Sequence, residues 1–225
     1  GEVTEQLIDH HRELARGGIA MTTVGYLAVS HDGRAFEHEL WMRKELLPGL
    51  RRLTDAVHRE GAAASVQLVH CGFFADPKVI GRKPLGASRK LCTFRMSVSV
   101  EMMESDIEEK TSDFAAAAVF AREAGFDAVE VHAGHGYLLS QFLSLWTNRR
   151  KDRYGGSLQN RLRFPADVLQ RIRSRVGDGF PILVKMNQTD GMSGGLSLDE
   201  AVEVAKGLEA AGASAIIPSC GFTAK

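Results

Sequence analysis

The sequence has few cysteines and no recognisable pair of them. Cys71, Cys92 and Cys220 are the only three among 225 residues, and no two form a C-x-x-C motif. An odd number of widely spaced cysteines argues against a disulfide framework and against a zinc or iron–sulfur site of the usual spacing. The pattern predicts a reducing, cytoplasmic setting and no metal centre.

The sequence also lacks an excess of either charge. It contains 28 Lys and Arg against 28 Asp and Glu, so it has no basic surplus of the kind that phosphate-backbone binding requires. There is no run of about 18 apolar residues and no charged-then-apolar leader. We therefore expect neither a nucleic acid nor a membrane as partner, while the oligomeric state stays open.

A recurring junction is what the sequence does have: a helix-period segment ends near a glycine, and a short apolar run follows. The five junctions read ARGGIAMTTV, REGAAASVQLV, REAGFDAVEV, VGDGFPILV and AAGASAIIPS. Glycine suits the left-handed conformation at helix ends, and runs of about six residues have the length of strands. Strands separated by helices predict parallel pairing in an α/β protein.

Two architectures fit five such strands, a doubly wound sheet and a (β/α)₈ barrel, although a complete barrel usually needs about 250 residues. Polar, glycine-rich segments follow the strands, which is where both architectures build an active site. No G-x-G-x-x-G follows an early strand, and this absence weakens the dinucleotide-binding alternative. We therefore expect residues 1–225 to form one partial (β/α)₈ TIM-barrel domain.

Three residues are predicted to begin helices by capping them. Thr4 precedes EQLIDHHRELAR, Ser105 precedes the acidic start DIEE, and Ser197 precedes LDEAVEVAKGLEAAG. Side-chain oxygens of Ser and Thr accept hydrogen bonds from the free N–H groups of the first helical turn. Acidic residues early in the last two helices also match the helix dipole.

Polar side chains occur inside three of the predicted strands. Strand alternation places Glu130 and His132 on one face, and the same argument orients Gln67 in ASVQLV and Lys185 in PILVKMN. An amide, an imidazole and an ammonium group could thus converge at one mouth. A lysine inside a strand needs an anionic or electron-rich partner, either a bound ligand or Glu130.

The segment VEVHAGHGYLL, residues 129–139, allows three interpretations. A metal pair needs two or more further ligands, and none lies at a recognisable spacing. His132 and His135 could instead cap the following helix within a structural turn. In the third interpretation they hold a substrate oxygen, and Tyr137, protonated at neutral pH, gives up a proton.

Residues 126–164, together with VQLVH at 66–70 and ILVKMN at 182–187, resemble the old yellow enzyme family of FMN-dependent oxidoreductases. The resemblance rests on H-x-x-[HN]-G-Y-L, T-N-x-R-x-D-x-Y-G-G-S and N-R-x-R-F in that order, and it is closest to members of the NADH:flavin oxidoreductase and 2,4-dienoyl-CoA reductase type. It implies a (β/α)₈ barrel with FMN at its carboxyl-end mouth. It also implies reduction of the C=C bond of an enone or enoyl thioester with electrons from NADH or NADPH.

The resemblance implies roles for seven residues. Those implied to bind the cofactor are Gln67 at the flavin ring, Lys185 beside its N1 and C2 oxygen, and Gly25 and Tyr26, where the backbone approaches the flavin edge. Those implied to be catalytic are His132 and His135, which hold the substrate carbonyl oxygen, and Tyr137, the proton donor. Three arginines near these motifs, Arg149, Arg161 and Arg163, are predicted to fix the long loop through salt bridges rather than to act in catalysis.

The sequence departs from the family pattern in three places. The resemblance begins after the first barrel strand, it stops before the last two strands with their FMN-phosphate loops, and HCGFF lacks a basic residue after its glycine. We therefore expect this chain alone to bind FMN poorly, because the phosphate carries much of the charge. Two other functions stay open: a non-catalytic or truncated barrel fragment without flavin, and an aldolase-type barrel that uses Lys185 as a Schiff-base nucleophile.

Overall fold

The computed structural model describes residues 1–223; positions 224 and 225 of the expected domain lie outside the described residues. The helices are α1 Glu5–Arg16, α2 Leu47–Arg59, α3 Pro77–Ile80, α4 Glu104–Glu123, α5 Leu138–Leu143, α6 Leu158–Val176 and α7 Leu198–Ala210. The strands are β1 Met21–Ala28, β2 Ala63–Val69, β3 Leu85–Gly86, β4 Leu91–Cys92, β5 Ser97–Val98, β6 Val100–Glu101, β7 Ala128–Ala133, β8 Ile182–Asn187 and β9 Ala215–Ser219. None of the helices within residues 1–223 is long and apolar enough to span a lipid bilayer.

The main sheet contains five strands in the order β1-β2-β7-β8-β9, and every neighbouring pair is parallel. Strands that follow each other in the chain are therefore neighbours in the sheet. A doubly wound sheet would reverse its strand order at a switch point, whereas a (β/α)₈ barrel does not. The five predicted strands are confirmed, and their order is that of an arc of a barrel.

The segment between β2 and α4 contains structure that the sequence patterns do not reveal. Strand β3 pairs with β6, and β4 pairs with β5, in two small two-stranded sheets. Each of these strands has only two residues, which is too short for an alternating pattern to be visible. The segment that contains β3 to β6 follows the carboxyl end of β2, on the side of the sheet where the glycine-rich loops also lie.

The two faces of the main sheet differ in character. Val129 and Val131 of β7 are fully buried and share one apolar cluster with Phe114 of α4 and with Leu169 and Ile172 of α6. Burial of such side chains supplies about 1.5–3 kcal/mol each. This face is the dry core beneath the helices. The opposite face carries the polar strand residues: Thr23, Ser65, Gln67, Glu130, His132 and Lys185.

Two of the three predicted caps are confirmed. Thr4 accepts a hydrogen bond from the Leu7 N–H at 3.2 Å, and Ser197 forms a reciprocal capping box with Glu200. The prediction for Ser105 is wrong, because α4 begins before it. The Asp106 carboxylate accepts the backbone N–H of Met103 at 2.7 Å. An acidic side chain in the first turn of α4 therefore binds the free N–H of the residue before the helix.

The arginines of the long loop have different roles. Arg161 is buried and donates to the carbonyls of Gly156 and Leu143 and to the Glu200 carboxylate, as predicted. Arg163 donates instead to the Arg153 carbonyl, at 3.1 Å. The prediction is wrong for Arg149, whose guanidinium forms no ion pair or hydrogen bond within residues 1–223; only its backbone N–H is held, by the Ser88 hydroxyl at 2.9 Å.

Glu39 is a buried carboxylate in the long connection between β1 and α2. Its side chain accepts the N–H groups of Ala35 at 2.6 Å and Phe36 at 3.3 Å, and it lies 4.0 Å from the Cys71 sulfur. Burial raises the pKa of Glu39 to about 7, although the two N–H donors oppose the shift. The folded protein thus holds this proton more tightly than the unfolded chain does.

Glu39→Gln is expected to change the pH dependence of stability. The raised pKa of Glu39 means that its contribution is fully present below the ordinary value of 4.5 and is lost as the pH rises to about 7. At 1.36 kcal/mol per unit, the wild type should lose about 3 kcal/mol relative to the variant across this window. Urea unfolding at several pH values checks this, and a pH-independent difference between the two proteins would contradict it.

Candidate active site

The polar face of the sheet brings together Gln67, Glu130, His132 and Lys185. Gln67 is paired with Glu130 in the register of β2 and β7, and His132 is paired with Lys185 in that of β7 and β8. The Gln67 amide donates to the buried Glu130 carboxylate. The Lys185 ammonium lies 3.9 Å from the same carboxylate oxygen, too far for a hydrogen bond. Glu130 therefore attracts the Lys185 ammonium without accepting a hydrogen bond from it, and the N–H donors of Lys185 can bind another partner.

His132 is a buried imidazole near the carboxyl end of β7. Its Nδ1 accepts the backbone N–H of Gly134 at 3.2 Å, so Nε2 carries the ring proton. Burial lowers the pKa of His132 to about 3, and the neighbouring His135 and Lys185 act in the same direction. The ring is neutral at physiological pH and presents one N–H donor at Nε2.

His135 has an uncommon backbone conformation for a residue that is not glycine, with φ of 56°. Its N–H donates to the Asn187 side chain at 3.0 Å, and its carbonyl accepts from the backbone and hydroxyl of Thr223. Its Nε2 lies 2.6 Å from the Ser219 hydroxyl. Burial and the Lys185 charge lower the pKa of His135, which favours the neutral ring. When Ser219 donates to Nε2, Nδ1 is the free N–H donor.

Tyr137 completes a cluster of three rings. Its ring centroid lies 4.8 Å from that of His132, and the His132 and His135 centroids are 5.0 Å apart, both pairs edge to face. The Tyr137 hydroxyl donates to the Tyr26 hydroxyl across 3.5 Å. Burial raises the pKa of Tyr137, so the phenol keeps its proton at neutral pH. Two neutral imidazoles and one phenol thus form one cluster, in which the His132 ring contacts both of the others.

Open space and aromatic walls adjoin this cluster. A Cβ added at Gly25 would meet nothing within 4 Å, so the backbone there borders free space. Phe74 packs edge-on against Tyr137 at 6.1 Å. A Cβ at Gly136 would approach the Phe222 ring to 2.3 Å, which explains the glycine between the second histidine and the tyrosine. The aromatic rings therefore exclude water from one side of the tyrosine.

Several residues that position the cluster were not singled out from the sequence. Asn187, the last residue of β8, donates to Asp190 at 2.8 Å and to the Gly221 carbonyl at 2.9 Å while it accepts the His135 N–H. Ser219, the last residue of β9, contacts the His135 ring. Their position at strand ends is the one signal that could have found them. The hydroxyl of Tyr26 is a further addition, because only its backbone was expected to contribute.

Comparison with known proteins places these features in a family. Residues 1–219 match the model of the NADH:flavin oxidoreductase / NADH oxidase family. The chain is 45% identical over 212 residues to 4,4'-dithiodibutanoate disulfide reductase of Rhodococcus erythropolis, covering 94% of this chain and 53% of the relative. It is 38% identical over 222 residues to an NADPH dehydrogenase of Listeria monocytogenes, covering 98% of this chain and 64% of the relative.

Solved structures show the same fold. A complex of 2-naphthoyl-CoA reductase with 2-naphthoyl-CoA superposes with a TM-score of 0.94 at 32% identity, over 100% of this chain and 36% of that one. The old yellow enzyme homologue of Zymomonas mobilis superposes with a TM-score of 0.86 at 23% identity, over 99% of this chain and 68% of that one. The predicted (β/α)₈ class is confirmed, with part of the barrel present in the described residues.

The chain spans 53% or less of the first three curated relatives that it matches. The cofactors of the family are FMN with NADH or NADPH, as the resemblance implied. The chain belongs to the NADH:flavin oxidoreductase / NADH oxidase family.

Proposed function

We propose that this chain is part of an FMN-dependent oxidoreductase that reduces the C=C bond of an α,β-unsaturated carbonyl compound with electrons from NADH or NADPH. The observation that carries the proposal is the contact between the rings of His132, His135 and Tyr137 at the carboxyl ends of the strands. Lys185 lies beside His132 in the sheet register, so the ring cluster borders the face proposed for the cofactor.

The residues of the polar face fit a flavin ring. Gln67 offers an amide, and Lys185 offers an ammonium group that has no hydrogen bond within residues 1–223. The free space at Gly25 leaves room beside the sheet. Gln67 and Lys185 would hold the flavin at its polar edge, where the cation favours negative charge. The bound flavin would supply the hydride that is added to the β-carbon of the substrate.

The ring cluster suits the other half of the reaction. Hydride addition at the β-carbon leaves negative charge on the carbonyl oxygen, and N–H donors aimed there stabilise the transition state more than the ground state. His132 Nε2 is the donor that the hydrogen bond from Gly134 leaves free, and His135 Nδ1 is a second donor when Ser219 donates to Nε2. Tyr137 would then protonate the α-carbon as general acid.

The relatives support a reductase and differ in the acceptor that their names give. One is named for a disulfide, another for metals, and a solved neighbour for 2-naphthoyl-CoA. A carbonyl-bearing acceptor makes use of both imidazole donors and of the phenol. A metal acceptor, which takes up electrons without a carbon to protonate, would leave Tyr137 without a role.

The proposal is tested on the full-length flavoprotein. Purified protein should show flavin absorbance, bleach anaerobically with NADH or NADPH, and regain its colour with 2-cyclohexenone as cyclohexanone forms. A colourless protein that FMN cannot reconstitute would support the non-catalytic alternative instead. Borohydride trapping of a carbonyl substrate on Lys185 would support the aldolase-type alternative.

Ser219→Ala is expected to weaken binding of carbonyl ligands without altering flavin content. The Ser219 hydroxyl lies 2.6 Å from Nε2 of His135 and holds the ring in place, and a hydrogen bond of this kind contributes about 1 kcal/mol. The Kd of an enone analogue should rise roughly fivefold. Ser219→Thr, which keeps the hydroxyl, should restore it, and Ser174→Ala on the exposed side of α6 is the matched control. Equal Kd values for wild type and Ser219→Ala would contradict this role.

A further inference from the structure

A cavity of about 450 Å³ lies between the β4 segment and the loop after α5. Three of its lining side chains are cationic, Arg89, Lys90 and Arg149, and none is acidic. We call it the basic cavity. Because the chain as a whole carries no net charge, three cations around one cavity are a local concentration of positive charge.

The three cations are not neutralised by carboxylates. Within residues 1–223, none of Arg89, Lys90 and Arg149 forms an ion pair. The Lys90 ammonium donates to the Trp146 carbonyl at 3.0 Å and lies 3.2 Å from the centre of the Trp146 ring. Burial and, to a lesser extent, repulsion by the Arg149 charge lower the pKa of Lys90. An anion in the cavity would relieve that repulsion.

The basic cavity adjoins the ring cluster through aromatic side chains. Trp146 lines the cavity and packs edge-on against Phe222 at 5.3 Å, and Phe222 forms a backbone bridge with His135. On the other wall, Phe73 lines the cavity and packs against Phe74, which in turn contacts Tyr137. An acyl chain could lie along these rings, with its carbonyl at one end and its charge at the other.

We infer that the basic cavity binds the anionic end of the substrate, a carboxylate or phosphate group carried on a chain away from the reacting C=C bond. Guanidinium groups match both anions through paired hydrogen bonds. This inference rests on the proposed function, because it places the reacting carbonyl at His132 and His135. Arg149, which occupies the variable position of T-N-x-R, then recognises the substrate and does not have the loop-fixing role expected for it.

Arg149→Gln is the most informative variant, because the Arg149 side chain has no structural partner within residues 1–223 and its loss should leave the fold intact. In the full-length flavoprotein, the ratio of kcat/KM for a carboxylate-tailed enone to that for its methyl ester should fall about tenfold, the scale of one charge-assisted hydrogen bond. The same ratio for an enoyl-CoA against its uncharged N-acetylcysteamine thioester forms a second arm. A fall in the first arm alone identifies a carboxylate, and a fall in the second identifies a phosphate.

Arg175→Gln is the matched control. Arg175 lies in the last turn of α6, and its replacement should change neither ratio. Unchanged ratios in both arms for Arg149→Gln and Arg89→Gln would overturn the inference.

If the wild type reduces no enone or thioester, the proposed function fails and the cavity is tested by binding alone. The chain has two tryptophans, so in a Trp41→Phe background the emission reports on Trp146. Glutarate or pyrophosphate should then quench it in an Arg149-dependent manner, and no response to either anion would overturn the inference.

Discussion

Tyr137→Phe is expected to slow reduction of an enone by the reduced flavoprotein about 10²-fold or more, while flavin reduction by the nicotinamide stays nearly intact. A positioned general acid contributes on this scale, and the buried phenol of Tyr137 contacts the His132 ring. Only the enone step requires a proton on carbon. Stopped-flow absorbance of the two half-reactions, measured separately, gives both rates.

Tyr26→Phe is the matched comparison for this variant. It removes the hydroxyl that lies 3.5 Å from the Tyr137 hydroxyl and leaves the proposed acid in place, so its effect on the enone step should be much smaller. If Tyr137→Phe slows only flavin reduction, or neither step, the acid is wrongly assigned. The HAGHGY segment would then be a structural turn.

Arg161→Met is expected to destabilise the fold by about 3 kcal/mol. The Arg161 guanidinium is buried and donates to two loop carbonyls and to Glu200 of α7, so its removal leaves these groups without their donor. Breaking a buried pair from one side costs about 3–5 kcal/mol, and the partial exposure of Glu200 places this case at the lower end. Urea unfolding at neutral pH measures the change.

Arg163→Met, two residues further along α6, is the control for Arg161→Met. Its guanidinium donates to a single exposed carbonyl, that of Arg153, so its loss should cost less than about 1 kcal/mol. Equal losses of stability in the two variants would contradict the assignment of Arg161 as the side chain that joins the long loop to α7.

The regular part of the fold could be predicted because its signals are local. Each of the five main strands is an apolar run next to a helix-ending glycine, and Thr4 and Ser197 act on N–H groups within three residues of themselves. Ser105 failed as a cap because α4 already begins at Glu104, so Ser105 lies inside the helix. The strands β3 to β6 have two residues each and therefore leave no periodic pattern.

The candidate site could be predicted only in part, because its geometry depends on contacts between distant segments. The motif residues His132, His135 and Tyr137 lie within six positions of one another, so their proximity was visible in the sequence. The His135 ring is held by the hydroxyl of Ser219, which is 84 positions away. That the Arg149 side chain has no partner within residues 1–223 depends on every segment around it.

The most direct test of the central claim is a single turnover of the reduced flavoprotein with 2-cyclohexenone, under anaerobic conditions in D₂O, followed by NMR of the product. Tyr137 exchanges its hydroxyl proton with solvent, so we expect cyclohexanone with one deuterium at the α-carbon. The claim would be contradicted if the flavin stays reduced when the enone is added anaerobically, although oxygen added afterwards reoxidises it.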